Sequence, residues 1–284
     1  MLEPKTTLFI SDLHLSAQNE SLQSLFLAFL QGPALMADKI YVLGDLFDVW
    51  VGHDVQTAFH DLIASAFKAL ADKGIDLYFM AGNRDFLIES KFLQKAGFEK
   101  LPDPCIIQLH GKPFLLSHGD KLCTQDVAYQ RYRKIAQHPI TKSLFLLLPK
   151  KMRTRIAHKL RSKSQQHQSG QHKEILDVCP QTVDQMMIDY NVKYMLHGHV
   201  HRPQFHHITL CNQQAMRFVL GDWHHKASLI FCTEDKICLS TYCMNNGIEI
   251  IDSYTFEASL SCNDAPLGAD IANVSLQNEF VDLA

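Results

Sequence analysis

Short runs of apolar and β-branched residues recur along the chain, at residues 7–10, 40–43, 77–81, 114–117, 194–197, 217–220 and 228–231. Their length and composition predict buried strands. Between several of them the apolar positions follow the helical period, at 22–30, 58–71 and 182–190. Alternation of strand and helix predicts an α/β layered fold. The closely spaced strands after Arg217 predict an antiparallel continuation, and so a β-sandwich flanked by helices. Residues 126–173 read as an inserted helical segment. Within it Met152, Ile156 and Leu160 recur at i, i+4 and i+8, a narrow apolar stripe. The main domain is expected to span 1–247, with 248–284 as a loosely attached acidic C-terminal extension.

Composition narrows the class. The 284 residues are 46% hydrophobic and 20% charged, enough to bury a full core in one domain with an insertion or a tail. A net charge of -3 argues against a protein that coats nucleic acid. That near-neutral total hides an asymmetry. Residues 121–173 hold 13 of the 27 Lys and Arg but only one acid, Asp126. The longest apolar run in this region, 144–148, is far short of the roughly 20 residues that span a bilayer. The N-terminus enters a strand-like segment at once, so no signal peptide is expected. The 8 cysteines form no C-x-x-C pair and read as buried thiols in a reducing compartment.

Polar clusters close five of the predicted strands. They are Ser11-Asp12-Leu13-His14, Gly44-Asp45-Leu46-Phe47-Asp48, Gly82-Asn83-Arg84-Asp85, His118-Gly119-Asp120 and His197-Gly198-His199-Val200-His201. In α/β sheets ligand sites form beyond the carboxyl ends of strands, so these five ends are expected to converge. Asp12, His14, Asp45, Asn83, His118, His199 and His201 offer oxygen and imidazole donors without a thiolate. That set suits Mn²⁺, Fe²⁺ or Zn²⁺. Seven donors exceed the need of one ion with an open position, and two ions sharing Asp45 would use them all. Two such ions acidify a bridging water and clamp both ends of an in-line displacement at phosphorus. His206-His207 and His224-His225 fall outside the strand ends and read as surface or turn residues. Trp50 and Trp223 read as core or pocket wall.

The ordered set resembles the calcineurin-like metallophosphoesterases. The segments Gly82-Asn83-Arg84-Asp85-Phe86-Leu87 and His118-Gly119-Asp120-Lys121-Leu122-Cys123, with the basic insertion, are similar to the branch of that family that cleaves UDP-2,3-diacylglucosamine in lipid A synthesis. The resemblance implies a β-sandwich with a helical cap over the active site, and two Mn²⁺ per subunit. Asp12, His14, Asp45 and His201 would hold one ion, and Asp45, Asn83, His118 and His199 the other. Asn83, Arg84 and His199 are the implied catalytic residues. Substrate contacts are implied for Asn83, Arg84, Asp126, Ser164 and His199, with Gln168 and Gln171, or nearby Lys173, at positions where the family often has Asn and Lys. His53 also stands where the family more often has an acid. The implied reaction is attack of a metal-bridging hydroxide on the α-phosphorus, releasing UMP and 2,3-diacylglucosamine 1-phosphate.

Arg84 sharpens the chemistry. Many family members carry a histidine after Gly-Asn, which can protonate an alkoxide leaving group. Arginine cannot donate a proton at physiological pH. A phosphate monoester leaves without protonation, so a pyrophosphate bond fits better than an alkyl phosphomonoester. Asp85 and Asp48 are candidates for orienting Arg84 or the imidazoles.

A basic amphipathic helix beside the apolar run 144–148 fits an anionic lipid surface or the wall of a pocket for acyl chains. With the resemblance it implies a monomeric peripheral protein on the cytoplasmic face of the inner membrane, acting on a lipid-linked UDP-sugar and not on nucleic acid. Two other readings stay open. One is a dinuclear-metal nucleotide pyrophosphatase without a lipid substrate, which assays with and without acyl chains distinguish. The other is a non-catalytic phospho-ligand module, whose signature would be lost metal ligands.

Overall fold

A computed structural model describes residues 6–170 and 177–256, the side chains of 164–170 excepted. The first half alternates strand and helix: β1 (Thr7–Ile10), α1 (Glu20–Gln31), β2 (Lys39–Leu43), α2 (Ala58–Ala71), β3 (Asp76–Met80), α3 (Ser90–Ala96) and β4 (Phe98–Leu101). Then come β5 (Cys105–Leu109), β6 (Lys112–Ser117), α4 (Val127–Ala136), α5 (Pro139–Leu147), α6 (Lys150–Gly170) and α7 (Pro180–Asp189). The chain closes with β7 (Tyr194–His197), β8 (Gln204–Leu210), β9 (Gln213–Val219), β10 (Ala227–Cys232), β11 (Lys236–Cys243) and β12 (Gly247–Thr255).

The strands form two sheets. One has the order β12-β11-β10-β1-β2-β3-β4 and the other β5-β6-β7-β9-β8. β1 to β4 run parallel, and β10 joins β1 antiparallel with Phe9 opposite Ile230. In the second sheet β6, β7 and β9 are parallel. The period-2 alternation of side chains decides what each face meets. Leu8 and Ile10 of β1, with Ile40 and Val42 of β2, pack under α1, α2 and α3 against Phe26, Phe29, Phe67 and Phe92. Phe9, Tyr41, Leu43 and Met80 point the other way and meet Phe114, Leu116, Leu196 and Phe218 of the second sheet. Leu115 and Met195 alternate outward onto Val183 and Met187 of α7. The expected sandwich with flanking helices is therefore a four-layer arrangement of helices, sheet, sheet and helix.

The extension begins later than expected. β12 pairs with β11 along its length, so residues 248–256 complete the edge of the larger sheet. Its outer face carries exposed Ile250 and Ile251, which blurs the alternation that marks a half-buried strand. Residues 257–284 lie outside the described residues. The cysteines also differ from the expectation. All seven described ones are free, but only Cys123, Cys232 and Cys238 are buried.

Candidate metal centre

The parallel strands bring their carboxyl ends to one edge of the sandwich. The loops beyond them stay paired: Asp12 N donates to Gly44 O at 3.1 Å, His14 N to Asp45 O at 2.9 Å, and Gly198 N to His118 O at 3.0 Å. Five of the nine described non-glycine residues with positive φ lie here: Asp12 at 56°, His14 at 49°, Asp45 at 54°, His199 at 71° and His201 at 54°. Left-handed backbone is unfavourable for such residues, and its concentration at one place marks a site whose geometry is held by its surroundings. Gly82 is required for the close approach, because a Cβ there would collide with the backbone nitrogen and carboxylate of Asp45. A Cβ at Gly198 would likewise meet Ser11 and Asp12.

Two groups of donors result. Asp12, His14 and His201 form one, and Asp12, Asp45 and His118 the other. Nε2 of His14 and Nε2 of His201 are 3.3 Å apart. Asp12 Oδ1 lies 3.3 Å from His201 Nε2, and Asp45 Oδ2 3.9 Å from His14 Nδ1. Asn83 Oδ1 is 2.9 Å from His118 Nε2, and the His199 ring lies 5.0 Å from the His118 ring. All seven expected donors are thus brought together. Asp12 belongs to both groups, so two carboxylates, Asp12 and Asp45, stand at the centre.

The electrostatics are those of a cation site. Asp12 and Asp45 are buried. Burial alone would lift both carboxyls, and it does lift Asp45. At Asp12 the His201, His118 and His14 imidazoles outweigh burial and hold the carboxyl far below its usual range. Burial opposes a charge on His118 and His201 too, yet Asp45 and Asp12 lift His118 to about 9, and Asp12 and Asp222 lift His201 to about 10. The buried carboxylates therefore favour positive charge at this place, which a divalent ion would supply in exchange for the imidazole protons. Asp12 Oδ1 and His14 Nδ1 are buried without a hydrogen bond. Such atoms are rare unless something else occupies them. His118 Nδ1 faces the Leu43 carbonyl at 2.8 Å and His201 Nδ1 the Asp222 carboxylate at 3.0 Å, which turns each Nε2 toward the cluster. An orphaned oxygen and an orphaned imidazole nitrogen, directed imidazoles and the absence of thiolate fit divalent metal ions.

Arg84 sits beside this cluster. Its Nε is 3.3 Å from Asp45 Oδ2, and its Nη1 donates to Asp48 Oδ1 at 2.6 Å. Asp48 thus orients Arg84 as expected. Asp85 does not touch an imidazole: its oxygens accept from Gly82 N at 2.7 Å and Leu46 N at 2.8 Å, fastening the β2 and β3 loops to each other. Burial and then Asp45 push the Asp85 carboxyl up to about 7.

A cavity of 690 Å³ opens from the cluster. Asp45, Asn83, Arg84 and His199 line it together with Trp50, Ile135, Phe145, Ile156 and Leu160, so α4, α5 and α6 share its wall with the loops that carry the donors. Asp126 lines it too, while its Oδ1 caps α4 by accepting from Tyr129 N at 2.9 Å. Ser164, Gln168 and Gln171, expected as substrate contacts, lie outside the described side chains, as does Lys173.

Several residues escaped the sequence reading. Tyr129 stacks on His199 at 6.0 Å between centroids and donates to Asp120. Arg161 of α6 binds Asp48 at 2.9 Å. Asp222 receives His201 and also His224, at 2.8 Å, although His224 is exposed as expected. Arg153, expected on the basic outer face of α6, is buried and donates to Val51 O at 2.6 Å, to Leu148 O and to Asp54. Of the stripe Met152, Ile156 and Leu160, Ile156 and Leu160 line the cavity, while Met152 is exposed. No helix among the described residues is long and apolar enough to cross a membrane.

Residues 5–203 match the model of the calcineurin-like phosphoesterase family, and the chain belongs to that family. Over 231 residues it is 45% identical to a UDP-2,3-diacylglucosamine hydrolase of Serratia proteamaculans, covering 81% of this chain and 96% of that protein. A protein of the same name from Photobacterium profundum is 45% identical, over 83% of this chain and 96% of its own. One from Aeromonas hydrophila subsp. hydrophila is 46% identical, over 80% of this chain and 94% of its own. Within the phosphoesterases, the chain stands with the UDP-2,3-diacylglucosamine hydrolases.

Proposed function

We propose that this chain hydrolyses the pyrophosphate bond of UDP-2,3-diacylglucosamine to UMP and 2,3-diacylglucosamine 1-phosphate, a step of lipid A synthesis. The observation that carries the reading is that one cavity is lined both by Asn83, Arg84 and His199 and by apolar side chains of α4–α6. A pyrophosphate attached to a doubly acylated sugar needs both linings, and a soluble nucleotide needs only the first.

Asp12, His14, Asp45 and His201 would hold one divalent ion, and Asp45, Asn83, His118 and His199 a second. Manganese suits this carboxylate, imidazole and amide set. When bound, such ions acidify water and neutralise charge on phosphorus. The chain's own groups do the rest. Arg84, held by Asp48, faces the equatorial phosphoryl oxygens and donates no proton, which fits a phosphate leaving group. Tyr129 fixes the plane of His199. Phe145 and Ile156, half-buried in the lining, would shield the acyl chains from water. Ser164, Gln168 and Gln171 on the C-terminal part of the insertion complete the substrate contacts in this reading.

The exposed apolar residues Ile135, Ile140, Leu144 and Leu147, the last 80% exposed, lie among the lysines and arginines of α4–α6. That surface supports a monomeric peripheral protein at the cytoplasmic face of the inner membrane, with residues 126–173 as the cap of a body that runs through residue 256.

Hydrolysis in ¹⁸O-labelled water tests the reaction. Attack at the α-phosphorus puts the label in UMP. Label in the sugar phosphate, or equal turnover of UDP-sugars with and without acyl chains, would reject the assignment.

A further inference from the structure

Phe86 and Lys142 on the wall of the main cavity also border a second, smaller hollow of 200 Å³. The body supplies Lys100, Asp103 and Lys121, and the cap supplies Arg133, Gln137 and Lys142. Four cationic side chains thus border a hollow whose lining holds one carboxylate, Asp103.

Two of the four cations are already committed. Arg133 Nε donates to Asp120 Oδ2 at 2.6 Å, and Lys121 Nζ lies 3.5 Å from Asp103 Oδ2. Lys100 and Lys142 have no ion pair among the described residues. The Lys142 ammonium rests 5.2 Å from the centre of the Phe86 ring. Burial, and then the charges of Lys100 and Arg133, hold it below the ordinary lysine range. Like charges gathered around a partly desolvated space repel one another, and an anion between them removes that repulsion.

We propose that this hollow is an anion site for a single phosphoryl group, held by Lys100 and Lys142 and within reach of Lys121 and Arg133. A phosphoryl dianion brings three acceptor oxygens and a charge that offsets two unpaired ammonium groups. The hollow suits a phosphoryl group better than a whole nucleotide, so the rest of a larger ligand stays outside it. Because Lys100 belongs to β4 and Lys142 to α5, occupancy ties the cap to the body. The proposal is independent of the reaction assigned to the main cavity.

The test uses the full chain, stripped of divalent cations by a chelator, with backbone exchange at α4 and α5 followed by mass spectrometry. The probes are inorganic phosphate, UMP, and vesicles of phosphatidylcholine with and without phosphatidate. Inorganic phosphate is expected to slow exchange in these helices. Lys100→Glu is expected to raise the concentration needed at least tenfold, and Arg84→Ala, in the main cavity, to leave it unchanged. Lys100 is exposed, so its replacement does not threaten the core, and Lys100→Gln should give an intermediate shift. Equal protection by phosphate and UMP supports the site with a free anion as ligand. Protection by phosphatidate vesicles alone supports it with a lipid headgroup. Protection that survives Lys100→Glu, protection that vanishes in Arg84→Ala, or no protection by any probe overturns it.

Discussion

Arg161 of the cap helix and Asp48 of the loop after β2 are joined at 2.9 Å, on the same carboxylate oxygen that receives Arg84 at 2.6 Å. One side chain therefore sets Arg84 beside the donor cluster and fastens α6 to the same loop. Asp48→Asn keeps the shape and removes the charge. It is expected to lower kcat/KM about tenfold, by loosening both arginines, while leaving metal content unchanged. Arg84→Lys removes the planar fork itself and should lose about a hundredfold. Steady-state assays with the acylated substrate, paired with metal analysis, check both. An Asp48→Asn protein that also loses metal would show that Asp48 acts on the donor cluster rather than on Arg84.

Gly82→Ala should damage the centre without touching a donor. The added methyl meets the Asp45 backbone nitrogen and carboxylate, and backbone cannot swing aside as a flexible side chain does. Overpacking of this kind destabilises by about 1–3 kcal/mol. The expected result is a lower melting temperature together with reduced metal per chain, measured by elemental analysis. Full metal occupancy in a destabilised variant would show that the loop absorbs the methyl away from Asp45.

The sequence displayed the seven donors because each follows a strand that its own apolar run announces. Parallel strands deliver their ends to one edge, so order along the chain became proximity in space. The partners of those donors carry no such signal. Asp222 meets His201, Tyr129 stacks on His199 and Arg161 reaches Asp48 only through packing between distant segments. The burial of Arg153 carries no signal in the sequence either, because nothing in a row of basic residues marks the one that finds two carbonyl oxygens and a carboxylate beneath it. At β12, solvent on one face and the turn beside Gly247 hid a strand that eight residues paired with β11 stabilise.

His60 makes the start of α2 sensitive to acid. Its Nδ1 accepts from Thr57 N at 3.1 Å, closing a capping box, while the ring packs against Phe47 and Trp50. Burial lowers its pKa below the ordinary 6.5. The sign follows: the unfolded chain takes up the proton first, so this contribution is complete above about 6.5 and is lost as pH falls toward the folded value. His60→Gln retains a cap acceptor and does not titrate. Between pH 7.5 and 5.5 the wild-type melting temperature should fall further than that of His60→Gln. Parallel curves for the two proteins would remove His60 as the cause.

Burial of Arg153 separates two roles within the row of basic residues on α6. Arg153 is 2% exposed and bonded to the body, whereas Lys151 and Arg155 are exposed. Arg153→Ala strips donors from Val51 O and Leu148 O and leaves Asp54 without its guanidinium. Loss of a buried charged donor of this kind costs about 2–3 kcal/mol. Faster backbone exchange should appear in α6 and around residues 51–54. Lys151→Gln with Arg155→Gln should leave exchange there unchanged. It should weaken binding to anionic vesicles at low salt by about fivefold for each charge removed, the effect of roughly 1 kcal/mol per basic side chain near an anionic surface. Vesicle sedimentation beside exchange on the same proteins reads both outcomes. Undiminished vesicle binding by the double variant would show that Lys151 and Arg155 of α6 make no contact with an anionic surface.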